Sequence, residues 1–289
     1  MARPLRIEFP GAVYHITTRG NDKRPIFLDN GDRENFLNLL ERVNTRYHWI
    51  CYAYCLMDNH NHLLLETLGR NLSIGMRQLN GVYTQTFNRK HERVGHLFQG
   101  RFKAILIEKD NHLLEACRYV VLNPVRAGVV EKPEQWKWSS YRATAGREKA
   151  QRCLTADWIL RQFGSKRGVA ERRYRDFVRA GMHAESLWKG VKAQSILGGD
   201  DFVERLMDYA KGHEDILEIS KGQRYLGRPG LEQLFNRKVI QDKRTRDERI
   251  EEAVEKYGYT QKEVSRHLGM HFTSISRIMR NREKAMPTK

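Results

Sequence analysis

Apolar and polar positions change period several times along the first 125 residues. Ala12 to Thr18 (AVYHITT) is a strand-length run, entered after Pro10-Gly11 and left at Gly20. From Asp32, a candidate cap, the apolar residues Phe36, Leu39, Leu40, Val43 and Tyr47 recur at the 3.6-residue spacing of a helix. Trp49 to Met57 returns to strand character, Asp58-Asn59 supply a tight turn, and His60 to Thr67 form the hairpin partner. Leu72, Met76, Leu79, Tyr83 and Phe87 make the buried stripe of a second helix. Phe102 to Glu108 (FKAILIE) is a fourth strand. A third helix starts at Asp110, the expected N-cap, and ends near Asn123, because Pro124 disfavours helical geometry in the residue before it. The order β-α-β-β-α-β followed by one more helix predicts an α+β fold, a ferredoxin-like antiparallel sheet with helices.

Beyond it, residues 131–150 read as a surface wrap or linker. Residues 151–240 read as mostly helical, with breaks at Gly164, Gly198-Gly199 and Gly227-Arg228-Pro229-Gly230 and no evident chemistry. The end of the chain is clearer. Arg246 to Tyr257 predicts a helix with Ile250, Ala253 and Val254 inward, stopped by Gly258. Thr260 and Glu263 form a capping box, Gly269 supplies a turn, and Thr273 to Asn281 predicts a second helix with Ile275 and Ile278 inward. Such a pair is a helix-turn-helix, whose second helix would offer Ser274, Ser276, Arg277 and Arg280 to a DNA major groove. The expected domains are therefore 1–145 (the sheet), 146–240 (a helical middle region) and 241–289 (the helix-turn-helix).

Charge adds a partner. Lys and Arg number 52 against 35 Asp and Glu, a net charge of +17, which favours a polyanion because each phosphate contact releases counterions. Cys51, Cys55, Cys117 and Cys153 form no Cys-x-x-Cys pair, so they suggest neither a zinc site nor a disulfide framework and read as small buried residues. No apolar run approaches a membrane span and no signal-peptide pattern opens the chain, which points to the cytoplasm and, for a DNA-binding protein, the bacterial nucleoid.

The candidate chemistry lies in two places. His60 and His62, two apart on a strand, share one face, which is how a strand presents two imidazoles to one metal. On the third helix His112, Glu115, Tyr119 and Asn123 form a polar stripe, placing a nucleophile and a third ligand on one side. Taken singly, each has a plain structural reading: two solvated imidazoles, and an edge helix with a half-buried tyrosine. Together they suit phosphodiester cleavage, which needs an in-line nucleophile, a charge neutraliser and a geometry that holds both. Attack by the Tyr119 phenol would give a 5′-phosphotyrosine and a free 3′-hydroxyl.

With these residues in place, the chain resembles the single-tyrosine HUH transposases (IS200-like). Gly11-Ala12-Val13-Tyr14-His15-Ile16-Thr17-Thr18-Arg19-Gly20-Asn21, His96-Leu97-Phe98-Gln99-Gly100-Arg101-Phe102-Lys103 and Tyr119-Val120-Val121-Leu122-Asn123-Pro124-Val125-Arg126-Ala127-Gly128 are similar to the branch of REP-associated tyrosine transposases. The resemblance spans about residues 5–145. It implies a Mg²⁺- or Mn²⁺-dependent single-stranded DNA endonuclease and strand transferase, acting in DNA transposition and recombination at REP elements, palindromic repeats that fold into hairpins. It also implies roles: His60, His62 and Asn123 as metal ligands, Tyr119 as catalytic nucleophile, and Arg19 and Arg101 on DNA phosphate. By resemblance a monomer is favoured over the dimers of related transposases, and the helix-turn-helix offers either a contact with duplex DNA or an inhibitory cover that folds back over the active site. Two positions depart from the family pattern: Asn61 stands where a bulky apolar residue is usual, and Met57-Asp58-Asn59 replaces a commonly proline-containing turn.

Two other readings use the same residues. A catalytically idle DNA-binding regulator would rely on the helix-turn-helix alone. An RNA-binding sheet would expose aromatics such as Tyr52 and Tyr54 on its central strands.

Overall fold

Strand β1 (Ala12–Arg19) runs through the middle of a five-stranded sheet. It pairs antiparallel with β3 (His60–Thr67) on one side and β4 (Lys103–Ile107) on the other, while β2 (Trp49–Met57) flanks β3. The order β2-β3-β1-β4 is that of the expected ferredoxin-like unit. A two-residue strand, β5 (Ile196–Leu197), extends it in parallel alongside β4. The computed structural model describes residues 7–185, 187–192, 195–210 and 229–285. The chain divides into two units, residues 6–199 and a second from residue 200 onward.

Strand alternation sorts the first unit into two layers. His15, Thr17 and Arg19 of β1 share a face with His60, His62, Leu64 and Glu66 of β3, because Arg19 opposes His60 and Thr17 opposes His62. Against this face lies α3 (Lys109–Val121), backed by α6 (Ala156–Arg161) and α7 (Arg167–Ala180). Leu64, Leu113, Cys117, Val121, Ile159 and Tyr174 are joined in one core. Tyr14, Ile16, Leu63 and Leu65 point the other way and are fully buried. On that side α1 (Asn30–Tyr47) and α2 (Leu72–Lys90) pack together, Phe36 meeting Tyr83 edge-to-face at 5.1 Å. All four cysteines are free and buried.

Several expectations need correcting. The cap of α1 is Asp29, whose carboxylate accepts from the Asp32 amide at 2.9 Å; Asp32 is the reciprocal partner of a capping box. Helix α3 starts at Lys109 after Glu108, which makes no side-chain cap, so Asp110 is inside the first turn. Its regular turns end at Val121, and Asn123–Arg126 continue as a separate turn, α4, in which Pro124 is tolerated because a first-turn N–H needs no partner. Residues 131–150 are no linker. They dock on the outer edge of β2: Leu56 N–H donates to Trp138 C=O, Ser140 N–H to Tyr54 C=O, and Trp136 Nε1 to Leu56 C=O. A short helix, α5 (Tyr141–Thr144), follows. The contacts divide the chain after residue 199, not at 145 and 240, since Tyr174 and Val178 of α7 belong to the core of the sheet. The middle region also carries strand β5. Of the expected breaks, Gly227-Arg228 lie outside the described residues.

The second unit has its own core of Leu234, Phe235, Ile250, Ala253, Tyr259, Val264 and Ile275. Its helices Lys243–Glu255, Gln261–Leu268 and Phe272–Ala285 begin earlier than expected at the first and third. Thr260 and Glu263 cap the middle helix as the sequence indicates, and Gly269 ends it at φ +64°, the left-handed conformation that glycine adopts freely.

Candidate active site

The β1–β3 register assembles a row of imidazoles that neither strand contains alone. His62 Nδ1 lies 2.8 Å from His15 Nε2 and 3.3 Å from Thr17 Oγ1. The His15 and His62 rings lie side by side, centroids 5.0 Å and planes 7° apart, the nearly coplanar arrangement of an in-plane N···N bond, and His60 stands nearly perpendicular to His62 at 4.9 Å. Helix α3 brings Tyr119 edge-on to this row, its ring 6.0 Å from His15 and 6.3 Å from His62. One turn later Asn123, on α4, is buried beside His62. The Arg126 guanidinium covers the Tyr119 ring at 5.1 Å and donates to Ala184 C=O.

Burial governs the electrostatics here. His15 is enclosed, and desolvation lowers its pKa to about 3, so it is neutral at physiological pH. His62 is held well below the usual histidine range, by burial first and then by the neighbouring His15 and His60; the Asn123 side chain opposes this. His60 is lowered by burial and by the Arg19 charge, against the pull of Asp58. Neutral imidazoles with free lone pairs are what a divalent cation requires. The donor set fits one: His62 Nε2 is buried without a hydrogen-bond partner, as expected of a group that waits for a ligand, and from Asn123 a cation would take the Oδ1 lone pair, the amide nitrogen having none to give.

Among the described residues the one cluster of three acidic or imidazole ligands is elsewhere, at Asp29, Asp32 and His91. It is already satisfied, because Lys90 Nζ sits 2.7 Å from Asp29 and 2.8 Å from Asp32, latching the start of α1 to the end of α2.

The site residues named from sequence thus separate into three groups. His60, His62, Tyr119 and Asn123 come together, with exposed Arg19 at the same end of the sheet, opposite His60. Arg101 lines a groove of about 980 Å³ with Asn21, Arg77, Phe98 and Phe102, on a segment whose Gln99 N–H donates to Arg19 C=O. Ser274, Ser276, Arg277 and Arg280 belong to the second unit; the two arginines are exposed, whereas the serines are half-buried. On the polar stripe of α3, Glu115 pairs with Arg118.

Sequence reasoning missed three members of the site. His15 lies inside the Gly11–Asn21 motif, and its alternation with Thr17 and Arg19 puts it on the face of His60 and His62 once β1 is paired with β3. Asn59 accepts from His60 Nδ1 at 2.6 Å. Trp188, from a segment assigned no chemistry, stacks on His15 at 4.4 Å and meets Tyr119 edge-on at 4.8 Å. No periodicity signals it; it lies on the helical turn Leu187–Gly190, shortly before Ile196–Leu197 pair with β4.

Comparisons with known proteins give relatives of part of the chain. Residues 9–123 match the family model described as "Transposase IS200 like". A Haemophilus influenzae protein described as a REP-associated tyrosine transposase is 27% identical over 142 residues, covering 45% of this chain and 80% of its own length. A solved structure of a REP-associated tyrosine transposase bound to a REP hairpin aligns with a TM-score of 0.45 at 16% identity, covering 54% of this chain and 92% of that one.

Proposed function

We propose, from the premise that residues 9–123 are an IS200-like transposase domain, that the first unit cleaves and rejoins single-stranded DNA at hairpin-forming repeats of the REP type. Tyr119 standing edge-on to His15 and His62, with Asn123 one turn away, is the observation that carries this reading. The Tyr119 Oη attacks the scissile phosphorus, a P–O bond to Tyr119 forms, the P–O3′ bond breaks, and the 3′ oxygen leaves as a hydroxyl after taking a proton. Because one phosphodiester replaces another, the reverse attack by a 3′-hydroxyl rejoins a strand without an energy source. Arg126 covers the phenol ring and carries a positive charge to the side where the phosphate must approach. Arg19 stands beside His60, ready for a flanking phosphate. A divalent cation, Mg²⁺ or Mn²⁺, would be held by His60, His62 and Asn123 and would polarise the phosphate oxygen as a Lewis acid.

The paired helices of the second unit fit a helix-turn-helix that adds duplex DNA contacts through Arg277 and Arg280. Among the described residues no helix is long and apolar enough to cross a membrane, and a DNA substrate places the protein at the nucleoid.

The test mixes the full chain with single-stranded hairpin DNA from the flanks of its own gene, with Mn²⁺ or with EDTA. A covalent protein–DNA adduct on a denaturing gel, lost in EDTA and in Tyr119→Phe, is the expected result. Hairpin binding without an adduct under any metal condition would overturn the nuclease reading and leave a DNA-binding regulator.

A further inference from the structure

A histidine that binds a cation must present a bare ring nitrogen, so its hydrogen must sit on the other nitrogen, and the group bonded there decides which tautomer is held. For His60 the assignment is forced. Asn59 Nδ2 donates to Lys23 C=O at 3.1 Å, which turns Asn59 Oδ1 toward His60 Nδ1 at 2.6 Å. An amide carbonyl only accepts, so His60 Nδ1 carries the hydrogen and Nε2 is bare.

For His62 the nearer partner at Nδ1 is a second histidine, Thr17 Oγ1 at 3.3 Å being able to donate or accept in either case, and two neutral arrangements satisfy the 2.8 Å bond. If His15 Nε2 donates, the His62 hydrogen moves to Nε2, where it faces the Asn123 side chain and blocks a cation. If His15 Nε2 accepts, His62 Nδ1 donates and Nε2 is bare beside Asn123, and the buried N–H left without a partner is His15 Nδ1. Counting hydrogen bonds therefore does not favour the second. The position of the lone pair does, because only the second matches the tautomer that Asn59 enforces on His60. The ring of His15 is also fixed, nearly coplanar with His62 (7° between planes) and stacked on Trp188 at 4.4 Å, so its Nε2 stays aimed at His62.

We propose that His15 is a positioning residue that accepts from His62 Nδ1 and thereby holds His62 Nε2 as a lone pair, the role Asn59 has for His60. The proposal rests on reading His60 and His62 as cation ligands. Free imidazole in water favours the Nε2–H tautomer, so an acceptor at Nδ1 is what reverses that preference.

The first measurement needs no metal. Two-bond ¹H–¹⁵N correlation spectra of the ¹⁵N-labelled, metal-free full chain at pH 7 report which nitrogen of His62 is protonated, with His62→Ala used for assignment. Protonated Nδ1 and bare Nε2 are expected; protonated Nε2 overturns the proposal. Mn²⁺ alone is then titrated into the wild type, His15→Gln and His15→Phe. Glutamine offers a carbonyl acceptor, whereas phenylalanine keeps a stacking ring but offers none. His15→Gln should bind close to wild type, and His15→Phe about 10–100-fold more weakly. A folded His15→Phe, with its melting transition intact, that binds Mn²⁺ as tightly as wild type also overturns it. Wild type and His62→Ala binding Mn²⁺ equally would instead refute the ligand reading, and the tautomer spectrum would still judge the role of His15.

Discussion

Replacing Asn61 by leucine should make the first unit more stable, although it alters the residue between the two site histidines. Asn61 is fully buried, and neither its Oδ1 nor its Nδ2 has a hydrogen-bond partner. Its neighbours across the sheet are Thr18, whose hydroxyl is also unpartnered, and Leu56. An amide buried without partners costs about 1–3 kcal/mol relative to an apolar group of the same shape, and leucine has the same branching and heavy-atom count. For a unit of this size that corresponds to a rise of roughly 2–12 °C in Tm. The strand alternation places Asn61 on the face away from His60 and His62, so Mn²⁺ affinity should not change. Calorimetry of Asn61→Leu against wild type, with a parallel Mn²⁺ titration, checks both statements. A lower Tm would refute the reasoning and mean that a buried water shared with Thr18 satisfies the amide. An altered Mn²⁺ affinity would refute the separation of the two faces.

Acid should destabilise the fold through His15, whose pKa of about 3 in the folded state compares with 6.5 for an ordinary histidine. Below pH 6.5 the unfolded chain takes up a proton that the folded one refuses, so stability falls as pH drops toward 3, by about 1.4 kcal/mol per unit from this residue. Urea melts between pH 7 and 5 should show a slope shallower by about one proton in His15→Gln; parallel slopes would refute this. Gly75→Ala should destabilise by about 1–3 kcal/mol despite the better helix propensity of alanine, because its Cβ would lie 2.2 Å from the Trp49 ring; a Tm equal to or above wild type would contradict the packing. Arg277→Ala and Arg280→Ala should each reduce the salt slope of duplex binding by about one unit, and a slope unchanged in both would remove these arginines from the DNA interface.

The strands and the helix stripes were legible because each buries a continuous set of apolar residues at its own period. The pairing of His60 with His62 on one face followed directly from that period, and so did the burial of Asn61. The caps were less legible: Asp29 and Asp32 are three apart, either can cap a helix, and backbone geometry at Asp29 decides between them. The α3 terminus was placed two residues late because Pro124 is compatible with a new helical turn as well as with an end. His15 required the strand register, which local pattern does not supply. Trp188 required a parallel pairing of β5 with β4, a long-range event with no local signature.

The two hydrogen-bonded imidazoles are 47 positions apart in the chain, Tyr119 follows much later, and Trp188 later still. A ribosome adds about 5–20 residues per second, so several seconds separate synthesis of the first imidazole from that of the tyrosine. During that interval the emerging chain is cationic yet holds no complete cutting centre. If Tyr119 is the nucleophile proposed above, construction order along the polypeptide delivers it only after the two strands that face it.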